Sequence, residues 1–246
     1  MKAAQEVRAV TRPSAGRLVV RDDPRSFASE AYRVLRTNLH FANPDSPLRR
    51  LIITSAGSGE GKSTTASNLA ICLAQADRSV LLVDADLRRP VLHTVFRQPS
   101  TPGLSSYLAG DALPDAVVIK TSIPNLSLVP CGPTPPNPSE LLGSRRMSDF
   151  LQTMSERFEM IILDTPPVLA VSDACVLVPA VDGVLLVVGS GVVVRPSLKR
   201  AKEQLASVHA RILGAVVNKF DAVANGYTKR YYDSYDSYYG KDARRS

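Results

Sequence analysis

The chain has no tryptophan, and phenylalanine, tyrosine and tryptophan together make up only 6% of its 246 residues. Cysteine is also scarce. Cys72, Cys131 and Cys175 are odd in number, far apart in the sequence and match no metal-binding spacing. We therefore expect three reduced cysteines that behave as small apolar residues, as in a cytoplasmic protein.

Long apolar runs are missing as well. No stretch reaches the roughly 18 consecutive apolar residues that a membrane-spanning helix needs. The longest stretch, residues 181–194, is interrupted by Asp182 and by glycine and serine, which is typical of a buried strand. The N-terminal segment carries Lys2, Glu6 and Arg8 and has no apolar core, so no secretory signal is expected.

The composition is that of an ordinary globular chain, with 44% hydrophobic and 22% charged residues. There are 30 lysines and arginines against 23 acidic residues, a net charge of +7. A charge of this size permits contact with acidic lipid or nucleic acid but specifies neither. We expect no nucleic-acid partner.

The chain is predicted to form one domain between two tails. Residues 1–25 are rich in arginine and poor in large apolar side chains, so we expect a mobile arm with one short strand at residues 18–20. Residues 26–220 carry the apolar pattern of the domain. Residues 221–246 lose that pattern and are expected to be disordered.

The domain is predicted to begin with a helix over residues 26–41, capped by Ser26. Short apolar runs then alternate with helix-period segments, which predicts an α/β domain. The runs are rich in Val, Ile and Leu with little alternation, as in strands that helices cover on both faces. The sequence thus predicts a doubly wound, mainly parallel sheet.

The sequence predicts six strands and, after the first helix, five further helices. The apolar stripe of the first helix is Phe27, Ala31, Val34, Leu35 and Leu39. The predicted strands are residues 51–54, 79–83, 126–129, 160–163, 184–188 and 212–217. The predicted helices between them are residues 62–76, 103–109, 145–157, 172–179 and 196–208.

A phosphate-binding loop is the strongest local signal: residues 56–63 read Ala-Gly-Ser-Gly-Glu-Gly-Lys-Ser between a predicted strand and a predicted helix. Small residues let backbone N–H groups converge on phosphate oxygens, the lysine supplies a positive charge and the serine hydroxyl can hold Mg²⁺. This predicts a P-loop nucleotide site. Its candidate residues are Gly57, Ser58, Gly59, Glu60, Gly61, Lys62, Ser63 and Thr64, with Asn218 as a candidate adenine contact from its position in the fold.

Three carboxylates follow predicted strands, where a parallel sheet exposes its ligand-binding edge. Asp84 and Asp86 follow the predicted strand that ends at residue 83, and Asp164 directly follows the predicted strand 160–163. An Asp-x-Asp after a strand is often only a turn, but beside a phosphate loop these groups are better interpreted as Mg²⁺ ligands or proton acceptors. Ser63, Asp86 and Asp164 are therefore the metal candidates.

A tyrosine cluster marks the C-terminal tail, which holds six of the eight tyrosines. They are Tyr227, Tyr231, Tyr232, Tyr235, Tyr238 and Tyr239. An aromatic tail can also pack on a partner or self-associate. A hydrophilic segment in which tyrosine alternates with Asp, Ser, Lys and Gly is better explained as a substrate for phosphoryl transfer.

Taken together, these segments resemble the bacterial tyrosine kinases of the capsule and exopolysaccharide type, in their stand-alone cytoplasmic form. The resemblance runs from about Asp23 to the C-terminus. It rests on the phosphate loop, the second Walker segment 83–90, the Walker B segment 161–167, the proline-rich stretch 132–142 and the tyrosine tail. A further match is Glu30-x-x-Arg33-x-x-Arg36 on the first helix.

The resemblance implies an ATP- and Mg²⁺-dependent kinase that phosphorylates its own tail and other protein tyrosines. It further implies a ring-like homo-oligomer through Glu30, Arg33 and Arg36 and a separate membrane protein that activates the kinase. The protein would then lie in the cytoplasm, at the inner face of the membrane through that partner. From the residues alone, a solvated helix face with a Glu30–Arg33 pair is an equal alternative for the first helix.

Two other functions share the fold. Partitioning or septum-placement ATPases carry a signature lysine early in the loop, where this chain has Gly57, and they lack a tyrosine cluster. A nucleotide-gated binding subunit would switch partners without transferring phosphate. The intact acidic set disfavours that class.

For the kinase, the predicted catalytic residues are Lys62, Asp84 and Asp86. Lys62 should bridge the β- and γ-phosphates, while Asp164 holds the metal through water. Asp84 is expected to accept the tyrosine proton late in the reaction, since a phenol with a pKa of about 10 is a poor donor to an ordinary carboxylate. The sequence leaves open whether Asp84 and Asp86 exchange roles.

Overall fold

The computed structural model describes residues 17–42 and 47–220. Seven strands form one sheet in the order β3-β4-β2-β5-β1-β6-β7. The strands are β1 Arg50–Ser55, β2 Val80–Asp84, β3 Ile119–Lys120, β4 Leu126–Val129, β5 Met160–Asp164, β6 Gly183–Gly189 and β7 Ile212–Asn218. All neighbouring strands pair in parallel except β3 and β4, which are antiparallel. The predicted single, mainly parallel α/β domain is confirmed.

Nine α-helices are found in the described part of the chain. They are α1 Val19–Asp22, α2 Phe27–Phe41, α3 Lys62–Ala74, α4 Leu92–Val95, α5 Leu104–Ala109, α6 Pro138–Leu142, α7 Arg145–Arg157, α8 Asp173–Leu177 and α9 Arg195–Ser207. Ser26 caps α2 as predicted, because its side chain accepts a hydrogen bond from the backbone N–H of Ser29. Among the described residues, none of these helices combines the length and apolar character needed to cross a bilayer.

The core has two layers, one on each face of the sheet. Successive residues of β2 point to opposite faces, so Leu81 and Val83 enter one apolar cluster while Val80 and Leu82 enter the other. Phe150 of α7 packs in the first cluster, and Leu69 of α3 packs in the second. Helices therefore cover both faces, which explains why the strands are continuously apolar.

The prediction of a short strand at residues 18–20 is wrong, because this segment forms the turn of helix α1 instead. Leu18 and Val20 are buried in the second core cluster, beside α2 and α3. The backbone N–H of Val20 donates to Oδ1 of Asn68 at 3.0 Å, and Nδ2 of Asn68 donates to the carbonyl of Arg17. A side chain of α3 thus replaces the neighbouring strand that a β-strand would need. Residues 1–16 lie outside the described part, and the mobile arm stays a prediction.

The apolar stripe of α2 is also different from the prediction. Leu39 is buried, and Tyr32 and Leu35 pack against the second core cluster. Phe27, Ala31 and Val34, which the sequence placed in the stripe, are exposed instead, and Val34 is 51% exposed. The helix packs on α3 through the face of Tyr32, Leu35 and Leu39, in which the tyrosine replaces an aliphatic residue.

Candidate active site

The phosphate loop lies where the sequence placed it, between β1 and α3. Gly59 and Gly61 have φ values of +76° and +97°, a region that residues with a side chain rarely adopt. A Cβ at Gly61 would also lie 1.8 Å from Nδ2 of Asn218. The loop therefore requires glycine at residue 61 for both its backbone conformation and its packing.

The loop presents a row of free backbone donors at the start of α3. None of the backbone N–H groups of residues 59–64 donates to another residue of the described part. The first intrahelical partner is the carbonyl of Gly61, which accepts from the N–H of Thr65 at 2.9 Å. Free N–H groups and the positive end of a helix dipole form an anion site, which fits a nucleotide phosphate.

The side chain of Glu60 braces the loop instead of facing a ligand. It is buried, and its two oxygens accept the backbone N–H groups of Gly57 at 2.5 Å and of Gly189 at 2.9 Å. Asn218 approaches the same loop, because its Nδ2 donates to the carbonyl of Glu60 at 3.0 Å. The phosphate loop is thus tied to the ends of β6 and β7, and the adenine contact of Asn218 stays a prediction.

Two carboxylates lie side by side at the carboxyl edge of the sheet. Asp84 of β2 and Asp164 of β5 are register partners, and both are fully buried. One oxygen of Asp84 accepts the N–H groups of Val91 at 3.1 Å and Leu92 at 3.0 Å. The other oxygen of Asp84 and both oxygens of Asp164 accept no hydrogen bond of ordinary length and angle from the described residues, although the Ser63 hydroxyl lies near Asp164.

Burial shifts the titration of this pair. Burial raises the pKa of Asp84 well above its ordinary value, and the charge of Asp164 raises it further, while the amides of Leu92 and Val91 oppose the shift. Burial raises the pKa of Asp164 to about 7, against the lowering effect of the Lys62 charge and the Ser63 hydroxyl. Asp84 therefore has no cation that offsets its burial, and for Asp164 the charge of Lys62 offsets the burial only in part.

The residues fit a magnesium ion bound together with a nucleotide. Buried carboxylate oxygens without partners call for a cation, and Mg²⁺ prefers oxygen ligands. Within residues 17–42 and 47–220, no cluster of three or more His, Cys, Asp or Glu side chains could hold a metal alone. The remaining ligands would come from phosphate, water and the hydroxyl of Ser63, the usual arrangement for Mg²⁺ in phosphoryl-transfer sites.

The loop after β2 holds Asp86 and is anchored by an ion pair that the sequence did not predict. Oδ1 of Asp86 accepts the backbone N–H of Arg89 at 3.0 Å. The guanidinium of Arg88 donates to both oxygens of the buried Asp173, at 2.9 and 3.0 Å, and also to Ser139 at 3.1 Å. Ser139 donates in turn to Asp173. The proline-rich stretch 132–142 thereby helps to fix the second Walker segment.

Cys131 lies close to the same acids. Burial raises its pKa to about 12, and the charges of Asp84 and Asp86 raise it as well. The thiol therefore stays protonated and unreactive at neutral pH. All three cysteines are buried and free, as the sequence predicted.

The three charged residues predicted for an oligomer interface all make bonds within their own chain. Nη1 of Arg33 pairs with Oε2 of Glu30 at 2.7 Å. Nη1 of Arg36 donates at 3.0 Å to the carbonyl of Cys72, one of the last four carbonyls of α3. The intrahelical pair of the alternative interpretation is thus present, and the ring stays a prediction. The six tail tyrosines lie outside the described residues.

Comparison with known proteins gives a consistent family. Residues 51–239 match the model of the CobQ/CobB/MinD/ParA nucleotide binding domain. The tyrosine-protein kinase YwqD of Bacillus subtilis is 43% identical over 201 residues, covering 82% of this chain and 85% of that protein.

Solved structures agree with this assignment. The chimerical protein CapA2B2 superposes with a TM-score of 0.80 at 39% identity, over 82% of this chain and 89% of that one. The kinase domain of the Escherichia coli tyrosine kinase ETK also superposes with a TM-score of 0.80. It is 36% identical, over 87% of this chain and 84% of that one. The chain has a phosphate loop and a buried acid pair, and most of its length matches named tyrosine-protein kinases; it belongs to the bacterial tyrosine-protein kinases of the P-loop type.

Proposed function

We propose that this protein is an ATP- and Mg²⁺-dependent protein-tyrosine kinase that phosphorylates the tyrosine cluster of its own tail. Through that reaction it regulates the synthesis and export of a capsular polysaccharide or exopolysaccharide. The observation that carries the proposal is the buried pair Asp84 and Asp164, of which Asp164 lies close enough to Lys62 of the phosphate loop for the lysine charge to lower its pKa. Membership of the tyrosine-kinase family supports the choice of tyrosine as acceptor.

The chain's own residues account for most of the catalysis by positioning and charge. Bound Mg²⁺·ATP supplies the phosphoryl group and part of the charge neutralisation. The free N–H groups of residues 59–64 hold the β-phosphate, and Lys62 neutralises charge between the β- and γ-phosphates. Ser63 and Asp164, with Asp86 in support, would hold the metal ion, which would neutralise part of the phosphate charge.

Asp84 accepts the proton of the attacking tyrosine in this scheme. A raised pKa makes the ionised carboxylate a stronger base, which narrows the gap to a phenol of pKa about 10, and the positive charge of bound Mg²⁺ would keep Asp84 ionised before the transfer. The hydroxyl oxygen forms the new bond to phosphorus, the bond between the γ-phosphorus and the bridging oxygen breaks, and ADP leaves. The proton reaches Asp84 late, so that the reaction does not require full deprotonation of the tyrosine beforehand.

We also propose the cellular setting that the family resemblance implies. The kinase forms a phosphorylation-sensitive ring through Glu30, Arg33 and Arg36. A membrane protein of the polysaccharide assembly system activates it, which places it in the cytoplasm at the inner face of the membrane. Other tyrosine proteins of that system would be further substrates.

The proposal is tested by incubating the purified full-length chain with labelled ATP and Mg²⁺, followed by phosphoamino-acid analysis. Phosphotyrosine in the active chain and none in a Lys62→Met chain is the expected result. Release of phosphate without labelled protein would instead indicate a partitioning-type ATPase switch. Arg78→Ala is the matched control. Arg78 lies just before the first residue of β2, whereas Asp84 is the last residue of that strand, so loss of the Arg78 charge should leave the labelling unchanged.

A further inference from the structure

Two consecutive arginines after Asp86 differ in what their side chains bind. The guanidinium of Arg88 donates hydrogen bonds to Asp173 and Ser139. Arg89 donates its backbone N–H to Asp86, while its side chain is exposed and bonds no residue of the described part. A free guanidinium is therefore held beside an acid-lined site.

The backbone around Arg89 is firmly held. Asp84 accepts the N–H groups of Val91 and Leu92 on one side, and the Arg88–Asp173 pair anchors the other side. The bond from the N–H of Arg89 to Asp86, at 3.0 Å, closes a tight turn between them. The position of Arg89 relative to the proposed acceptor site is thus set by the backbone, and only its side chain remains free to bind.

The tail has the complementary charge. Residues 231–239 read Tyr-Tyr-Asp-Ser-Tyr-Asp-Ser-Tyr-Tyr, with two aspartates and no lysine or arginine, in a chain whose net charge is +7. Tyr232 and Tyr235 are each followed directly by aspartate, whereas Tyr227 is followed by threonine. An exposed arginine beside the acceptor site matches a carboxylate one residue after the acceptor tyrosine.

We propose that Arg89 is a specificity residue that binds the carboxylate following the acceptor tyrosine, so that the preferred substrate is a Tyr-Asp peptide. The inference rests on the proposed kinase function and names its substrate class. An exposed ion pair of this kind changes a rate or an affinity about two- to fivefold. Arg89 would therefore select among tyrosines and would not be needed for the transfer itself.

The first experiment uses the full-length chain and measures phosphate on each tail tyrosine over time by mass spectrometry. Tyr232 and Tyr235 should be labelled about two- to fivefold faster than Tyr227. Arg89→Ala should remove this difference, and Arg78→Ala, which deletes the same charge at the opposite end of β2, should keep it. Combining Arg89→Glu with Asp233→Arg and Asp236→Arg should restore the preference.

A second experiment measures binding without catalysis. The receiving chain carries Asp233→Asn and Asp236→Asn, so that its own tail does not compete by charge. The probe is a fluorescein-labelled peptide of residues 231–239, compared with the same peptide carrying asparagine at both aspartates. The acidic peptide should bind about two- to fivefold more tightly, and Arg89→Ala should equalise the two.

The outcomes separate the two proposals. Phosphotyrosine without any Asp preference, together with equal binding of both peptides, would overturn the role of Arg89 and leave the kinase intact. Absence of phosphotyrosine would overturn the kinase, while the peptide binding would still decide whether Arg89 recognises the aspartate. If Arg89→Ala weakens Mg²⁺·ATP binding and slows every tyrosine equally, the residue contacts nucleotide and the inference is wrong.

Discussion

Asp84 and Asp164 stand directly opposite each other on adjacent parallel strands, and neither is exposed to solvent. Burial raises the pKa of both carboxyl groups; the charge of Asp164 raises that of Asp84 further, and the charge of Asp86 adds to the shift of each. Lys62 is the cation of the chain whose charge lowers the pKa of Asp164. The site therefore holds more buried acid than the charge of Lys62 offsets, and a metal ion that binds with the nucleotide would supply the missing positive charge.

Lys62→Met should abolish tyrosine labelling while the protein remains folded. The substitution removes the charge that contacts phosphate but leaves a side chain of similar length. Labelling is measured in cells that lack other tyrosine kinases, and folding is checked by circular dichroism. A Lys62→Met chain labelled as strongly as the unchanged protein would exclude this nucleotide site.

Asp164→Asn and Asp84→Asn should separate the two acidic roles. Asp164→Asn should raise the Mg²⁺ concentration needed for half-maximal rate, because it weakens the hold on the metal. Asp84→Asn should lower the rate with little change in nucleotide affinity. Rates at varied Mg²⁺ and nucleotide titrations measure the two effects, and a reversed pattern would mean that the roles are exchanged.

The stability of the nucleotide-free protein should fall as the pH rises from about 4 to 7. A buried acid with a raised pKa binds its proton in the folded state at pH values where the unfolded chain has already lost it. The contribution is fully present below the unfolded pKa of about 3.9 and is lost as the pH passes the folded pKa of Asp164, about 7. Urea unfolding at several pH values measures the slope.

Asp164→Asn serves as the control for that slope, because asparagine does not titrate. The variant should flatten the pH dependence relative to the unchanged protein. Mg²⁺-nucleotide binding should also release protons near neutral pH, since the metal requires the ionised carboxylate. An unchanged slope in Asp164→Asn would show that this carboxyl does not titrate in the range.

Apolar runs and short motifs were sufficient to predict the parallel α/β sheet, the phosphate loop and the acids that follow its strands. Asp84 and Asp164 could be found because each ends an apolar run, and parallel strands present such ends at one edge. The ion pair of Arg88 with Asp173 could not be found, because the two residues are 85 positions apart and no local pattern links them. The two-residue strand β3 is too short to give a periodic signal.

Helix α1 and the packing face of α2 were missed for a related reason. Residue 20 lies in a helix because Asn68, 48 positions away, accepts its backbone N–H. Tyr32 packs on the core although its hydroxyl made it a poor candidate for an apolar stripe. In both cases a contact made by α3 decides the local structure.

Phosphorylation of the tail should reduce the size of the assembly. Each phosphotyrosine adds about −1.5 to −2 charges, so six would carry the net charge from +7 to about −2 to −5. Tails with this charge repel one another, which opposes the close packing of several subunits. Light scattering at moderate salt should find a larger species before phosphorylation, and equal sizes would contradict the switch.

The proposed ring predicts that each tail is phosphorylated by a neighbouring subunit. A ring would hold each tail near a neighbouring active site at high effective concentration. A Lys62→Met chain is mixed with an active chain truncated after Lys219. Tyrosine label on the Lys62→Met chain requires transfer from its neighbour, whereas its absence in a confirmed complex would mean transfer within one subunit.

The structure changes how the ring variants of this mixture must be designed. Arg36 bonds the carbonyl of Cys72 near the C-terminus of α3, a contact at a helix end that contributes about 0.3–1 kcal/mol. Arg36→Ala would therefore loosen the helix that begins at the phosphate loop, even without a ring. Arg33→Ala removes only a half-exposed pair with Glu30 and its bond to the carbonyl of Pro24, so it tests the interface more cleanly. If Arg33→Ala slows labelling and makes it depend on protein concentration at unchanged thermal stability, the ring is supported. If only Arg36→Ala has an effect, and its melting temperature falls in parallel, the charged face of α2 serves its own chain and the ring proposal is wrong.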